Sequence, residues 1–293
     1  MKSYKLGILF GQRANSFWLK MKQAYETAAP KYSVDPIFAW PVPGREEKTQ
    51  LVELFKLLDA DLDAVIVNPL DRFNLIPGIL EAAGKQIPIF DVGAKADAKA
   101  VRSAHPFYVP VKTVDFYQQG ILGADYIIQR LTSMGGGKVA ILEGSENSTQ
   151  SIERCRGAVD RFARVSQISI AGRVAADFDM DKARKASADI LCSHPDLAAI
   201  FCANDYMALG AAQTVDTWGG ANPVIIVGVD LIDEARQAIL AGKMAASVAF
   251  SVSEVATLLL RAAIQGIQGQ MTPPAGYAIV SHLIDKHNKT LGE

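Results

Sequence analysis

Short apolar runs rich in β-branched residues alternate with longer amphipathic stretches along the whole chain. The runs at 5–10, 36–40, 64–68 and 87–92 predict strands in the first part, and those at 138–142, 169–175, 198–203, 224–230 and 245–250 predict strands in the second. Between them, 17–31, 47–58, 73–84, 115–131 and 181–193 carry the apolar spacing of helices. Strands that alternate with helices predict parallel sheets wrapped by helices. The strands read as unbroken apolar runs, the pattern expected when both faces of a sheet are covered. Across 93–110, Lys, Ala and Pro replace this rhythm, which restarts at Asp115, so two similar α/β halves are the simplest layout. A long helix over 253–270 follows the last strong strand, and 277–281 reads as a final strand.

Composition narrows the function. The 293 residues carry 30 Lys and Arg against 31 Asp and Glu, a net charge of −1, with 49% hydrophobic and 21% charged residues. That is a globular balance, with no broad electrostatic footprint for nucleic acid or an anionic membrane. No uncharged apolar run approaches the roughly 20 residues that span a bilayer. The first residues lack the succession of a signal peptide, so the chain is read as cytosolic or as one whose leader has been removed. Three cysteines (Cys155, Cys192, Cys202) and four scattered histidines give neither a disulfide framework nor metal-ligand spacing, so neither a metal nor a cofactor is expected.

The candidate chemistry sits where strands end. The run 64–67 ends in Asn68-Pro69, 199–203 in Asn204-Asp205, and 224–229 in Asp230. In open parallel sheets, ligands bind beyond these carboxyl ends, and amides and carboxylates there suit the hydroxyls of a small polar ligand. Asn and Asp after a strand are also ordinary turn formers and helix N-caps, and both readings stand for each residue singly. After the first strand, Asn15-Ser16-Phe17-Trp18 opens a helix. Its rings suit the C–H faces of a sugar, or simply pack the helix onto its sheet. No GxSxG elbow, Walker loop or dinucleotide fingerprint occurs in strand–helix context, and Gly144-Ser145-Glu146-Asn147 lacks the second elbow glycine. An enzyme is therefore not expected.

Several segments, in this order and spacing, resemble the ribose-type branch of the type I periplasmic binding proteins, whose fold is shared with lactose-repressor-type effector domains. They are Asn15-Ser16-Phe17-Trp18, Val67-Asn68-Pro69, Ile87-Pro88-Ile89, Ala176-Asp177-Phe178-Asp179, Ala203-Asn204-Asp205-Tyr206-Met207-Ala208-Leu209-Gly210, Val227-Gly228-Val229-Asp230 and Gly242-Lys243-Met244-Ala245-Ala246. The resemblance implies two doubly wound parallel-sheet lobes joined by three hinge crossings, one of 1–113 with 251–280 and the other of 114–250 with 281–293. It implies Asn15 and Asn68 on the ligand from the first lobe, and Arg154, Asn204 and Asp230 from the second. Phe17, Trp18 and Phe178 would sandwich the ligand.

Two departures from the family pattern stand out. The family's Asp-Arg pair falls on Gly93 and Ala94 without gaps, or its aspartate on Asp91 with a small gap; either way the arginine is missing. The family's amide at the last hinge strand is Phe250 here. A site built this way would leave hydroxyls of ribose unpaired at about 1–3 kcal/mol each, so a polyol, deoxysugar or modified sugar is expected instead. The resemblance further implies a neutral hydroxylated ligand, a monomer in the periplasm or outside the cell, and a membrane ABC permease that recognises the closed form. The alternative is a ligand sensor that presents its liganded form to a membrane kinase.

Overall fold

The computed structural model describes residues 3–12, 15–219, 223–270 and 276–288. From the amino end the chain runs through β1 (Tyr4–Leu9), α1 (Ser16–Ala28), β2 (Val34–Ala39), α2 (Glu46–Leu58), β3 (Ala64–Val67), α3 (Ile76–Gly84), β4 (Ile89–Val92) and β5 (Tyr108–Val111). It continues with α4 (Phe116–Thr132), β6 (Gly137–Glu143), α5 (Thr149–Phe162), β7 (Ile168–Ala175), α6 (Met180–Ser193), β8 (Leu197–Cys202) and α7 (Asp205–Trp218). Then follow β9 (Ile225–Val229), α8 (Asp233–Leu240), β10 (Ala246–Ala249), α9 (Val252–Ile267) and β11 (His282–Asp285). Two compact units result, 1–114 with 251–280 and 115–250 with 281–293, so the chain passes from one to the other three times.

The first unit holds a parallel sheet in the order β2-β1-β3-β4-β5. Its central strands carry apolar runs because both faces are covered: Leu6, Ile8, Leu9 and all of Ala64–Val67 have no exposure. α9 returns to this unit and packs on α1, β3 and β4. Leu259, Leu260 and Ala263 are wholly buried there, and burial is worth roughly 1.5–3 kcal/mol for each leucine. α1 stops at Ala28 because Pro30 follows; the chain completes a 3₁₀ turn over Ala29–Tyr32 and leaves it at Ser33 with φ 54°.

The second unit holds the order β11-β10-β9-β8-β6-β7, parallel except that β11 runs antiparallel to β10. The helix starts follow the capping chemistry of Asp and Ser. Asp115, Ser148 and Asp179 each accept a hydrogen bond from an amide in the first turn of α4, α5 and α6.

Two strands differ from the sequence expectation. β5 begins at the end of the stretch 93–110 that broke the rhythm; it has four residues, includes Pro110, and sits at the sheet edge, where a missing N–H costs no ladder bond. The final strand expected over 277–281 is instead a single parallel bridge, Ile279 to Val114, in the first unit. The extended strand begins one residue later, at His282, in the second.

Candidate ligand-binding groups at the strand ends

In the first unit, Asn15 and Asn68 stand beyond the carboxyl ends of β1 and β3. Asn15 caps α1, its Oδ1 accepting from Phe17 N at 2.9 Å, while its Nδ2 donates to Gln12 Oε1 at 3.4 Å. Asn68 is 1% exposed; its backbone N–H donates to Leu9 O at 3.0 Å and its Nδ2 to the same oxygen at 3.4 Å. Gln50 of α2 clamps both strand ends from below. Its Nε2 donates to Phe10 O at 3.0 Å and Asn68 O at 2.7 Å, and its Oε1 accepts from Leu70 N at 3.2 Å and Asn74 Nδ2 at 2.6 Å.

The rings of Phe17 and Trp18 meet edge to face, 5.0 Å between centroids. Trp18 also lies 6.0 Å from Phe10, on which Trp40 stacks at 4.2 Å. Lys95, 5% exposed, brings its ammonium 5.6 Å from the centroid of Trp18. It directly follows Gly93 and Ala94, where gapless counting seeks the family's charged pair. Asp91, expected from the resemblance as a ligand group, is bonded inside the unit through Oδ2. It is fully buried in β4, and its Oδ2 accepts from Ala96 N at 2.8 Å and Tyr108 Oη at 2.6 Å. The carboxylate thereby folds the turn carrying Lys95 back against β5. Burial raises its pKa above the ordinary carboxylate value, in part offset by those two donors.

In the second unit, Arg154 is the centre. Projecting from α5 and 2% exposed, it donates from Nε to Gln119 Oε1 at 2.8 Å, from Nη1 to Ala203 O at 2.8 Å and from Nη2 to Asp230 Oδ1 at 2.9 Å. Its guanidinium also lies 5.6 Å from the ring centroid of Phe116. Gln119 is held in turn by donating to Ser281 Oγ at 3.0 Å. A guanidinium has five N–H donors, and these three partners leave one on each Nη for a further acceptor. Asn204 ends β8 and caps α7, accepting from Met207 N at 3.0 Å.

Phe178 sits in a turn where it and Asp177 have φ of 59° and 53°. Its ring covers Gly144 so closely that a side chain there would collide with it, which accounts for the bare glycine after β6. Phe250, 8% exposed, ends the second unit beside Ser251, the N-cap of α9. Arg154, Asn204 and Asp230 are therefore brought together, Asn15, Asn68 and Trp18 share the strand-end region of the other unit, and Asp91 lies buried in β4 of that unit. The residues that sequence reading missed are Gln50, Lys95, Gln119 and Ser247.

Among the described residues no group of three or more His, Cys, Asp and Glu could hold a metal ion, and no helix is long and apolar enough to cross a membrane. Cys155 and Cys202 are buried, Cys192 is exposed, and all three are free.

A family model described as a periplasmic binding protein domain matches residues 6–271. The chain belongs to this family. It is 32% identical over 273 residues to the D-allose-binding periplasmic protein of Escherichia coli K12, covering 93% of this chain and 87% of that one. It is 26% identical to the ribose import binding protein of Bacillus subtilis 168, covering 92% and 83%. Among solved structures, an ABC transporter periplasmic solute binding protein from Actinobacillus succinogenes with bound D-allose matches with a TM-score of 0.88 at 28% identity, covering 98% of this chain and 99% of that one. The family expected from the sequence is thus the family found, and with it the two-unit α/β architecture of a solute-binding protein.

Proposed function

We propose that this chain is the sugar-binding component of an ATP-driven importer, working outside the cytoplasm as a monomer and handing its ligand to a membrane ABC permease. The ligand is a neutral sugar or sugar alcohol, held by groups of both units. Asn15, Asn68 and Lys95 hydrogen-bond it from the first; Arg154, Asn204 and Asp230 from the second. Phe17, Trp18, Phe178 and Phe250 cover its apolar faces.

The observation that carries this reading is the pairing of Arg154 with Asp230. Within one unit the cation and the carboxylate neutralise each other, so together they offer donors and acceptors without net charge. That suits a hydroxylated neutral solute, whose adjacent oxygens match the guanidinium fork, better than a sugar acid or a phosphate ester. Lys95, the residue after the position of the family's missing arginine, is the donor that this reading adds to the site. A fully hydroxylated hexose such as D-allose, the ligand named for the 32% identical relative, becomes the first compound to test. Closure then follows from differential affinity: a sugar bound on one unit favours the state in which the other also touches it.

Titration calorimetry of the purified chain with D-allose, D-ribose and xylitol tests the reading. Saturable micromolar binding of at least one is expected, and Arg154→Met is expected to abolish it. Binding of an anionic solute with none of the three neutral compounds would refute the proposal.

A further inference from the structure

The turn after β9 is held in a conformation that most side chains avoid. Asp230 and Leu231, neither a glycine, have φ of 110° and 49°, where an L residue crowds its own backbone. Three consecutive amides fix the turn. Asp230 N–H donates to Val248 O at 2.8 Å, Leu231 N–H to Ser247 Oγ at 3.1 Å, and Ile232 N–H to Asp205 Oδ2 at 3.0 Å. Ser247 closes the set by donating its hydroxyl proton to Asp205 Oδ1 at 2.7 Å. Asp205 and Ser247 have no exposure, and both oxygens of the carboxylate are engaged inside the unit, so neither residue is placed to touch a solute.

The sequence makes room for this arrangement. A Cβ at position 228 would fall inside van der Waals contact of Asp205 Oδ1, so the glycine in the middle of β9 lets a carboxylate on α7 reach across to β10. Burial is unfavourable for the charge: desolvation first, and then the nearby Asp230, raise the Asp205 pKa well above the ordinary carboxylate value. An apolar residue would carry no such penalty. The bonds that a carboxylate makes here, and an apolar side chain does not, all lead to the turn at 230–232.

We propose that Asp205 and Ser247 are positioning residues that lock the turn 230–232 and so keep the carboxylate of Asp230 aligned with Arg154 Nη2, 2.9 Å away. This rests on the reading that Asp230 touches the sugar. The two residues act on the ligand only through Asp230, which gives the pair a distinct signature: removing the lock costs affinity only while Asp230 is present.

The test is a double-mutant cycle of Ser247→Ala and Asp230→Ala in the full chain, titrated with D-allose, with melting curves to establish that each variant is folded. Ser247→Ala is the informative change because Asp205→Ala strips two buried donors of their acceptor and is prone to misfold. Ser247→Ala is expected to weaken binding about ten-fold, the equivalent of one hydrogen bond, and to add nothing in the Asp230→Ala background. Multiplicative effects, or wild-type affinity in Ser247→Ala while Asp230→Ala is impaired, would overturn the inference alone. Wild-type affinity in Asp230→Ala would overturn the role of Asp230 and the inference with it. A crystal structure of ligand-free Ser247→Ala decides the matter without any sugar. The expected result is a turn that has left positive φ at Asp230, with Arg154 and Asp230 more than about 4 Å apart; an unchanged turn refutes the lock.

Discussion

Gln50 offers the sharpest test of how the first unit holds its strand ends. Its side chain has no exposure and makes four hydrogen bonds, two as donor to Phe10 O and Asn68 O and two as acceptor from Leu70 N and Asn74 Nδ2. An amide has two N–H donors and two acceptor lone pairs, so its capacity is used in full. Gln50→Leu keeps the bulk and removes all four bonds, stranding backbone groups at the ends of β1 and β3. At about 1 kcal/mol net for each bond the loss comes to about 4 kcal/mol, more if the stranded carbonyls stay dry. For domains of 150–250 residues each kcal/mol moves Tm by roughly 2–4 °C, so the first unit is expected to melt about 10 °C lower. Differential scanning calorimetry of the ligand-free chain reads this directly, with Val52→Ala on the same helix as the control, since Val52 is 48% exposed. A fall of less than about 3 °C for Gln50→Leu would refute the view that this amide clamps the strand ends.

Two further outcomes follow from the same geometry. Gly144→Ala places a methyl group where the ring of Phe178 now rests; the half-exposed ring swings away at little expense in Tm, and calorimetric affinity for D-allose is expected to fall several-fold, the share of one stacked ring. Unchanged affinity would remove Phe178 from the ligand contacts. Asp91→Asn tests the buried carboxylate through pH. Burial raises this pKa above the ordinary carboxylate value, so above about pH 4 the native chain binds the proton more tightly than the unfolded chain and loses stability as pH rises toward the folded pKa. The amide lacks that loss, so urea unfolding is expected to show the variant gaining on the wild type as pH rises above about 4, and a constant difference would contradict it.

Much of the architecture was legible because each central strand is a run buried on both faces. Ala64–Val67 has four residues and all four are buried, and no helix periodicity fits such a run. β5 escaped because an edge strand tolerates Pro110, the residue that breaks the sequence signal. β11 escaped because four residues, with His282 exposed and Ile284 buried, alternate too briefly to stand out.

At the strand ends the sequence posed a choice between capping and ligand binding, and capping alone does not decide it, because an amide that spends its oxygen on a cap still has its donors. Asn15 and Asn204 each spend the side-chain oxygen on a helix amide, and Asn15 Nδ2 donates to Gln12. What sequence could not reveal is the layer beneath: Gln119 meets Arg154 across 35 residues and Ser247 meets Asp205 across 42, separations that no local pattern encodes. Yet each leaves a faint local trace. Gln119 interrupts the buried face of α4 between Phe116 and Gly123, and Gln50 heads the buried face of α2 before Leu54 and Leu57. Burying a polar side chain is unfavourable unless its bonds are satisfied, so a polar residue at an apolar helical position marks something nearby that needs holding. For Gln50 that something is the backbone at the ends of two strands; for Gln119 it is the guanidinium of Arg154 on α5.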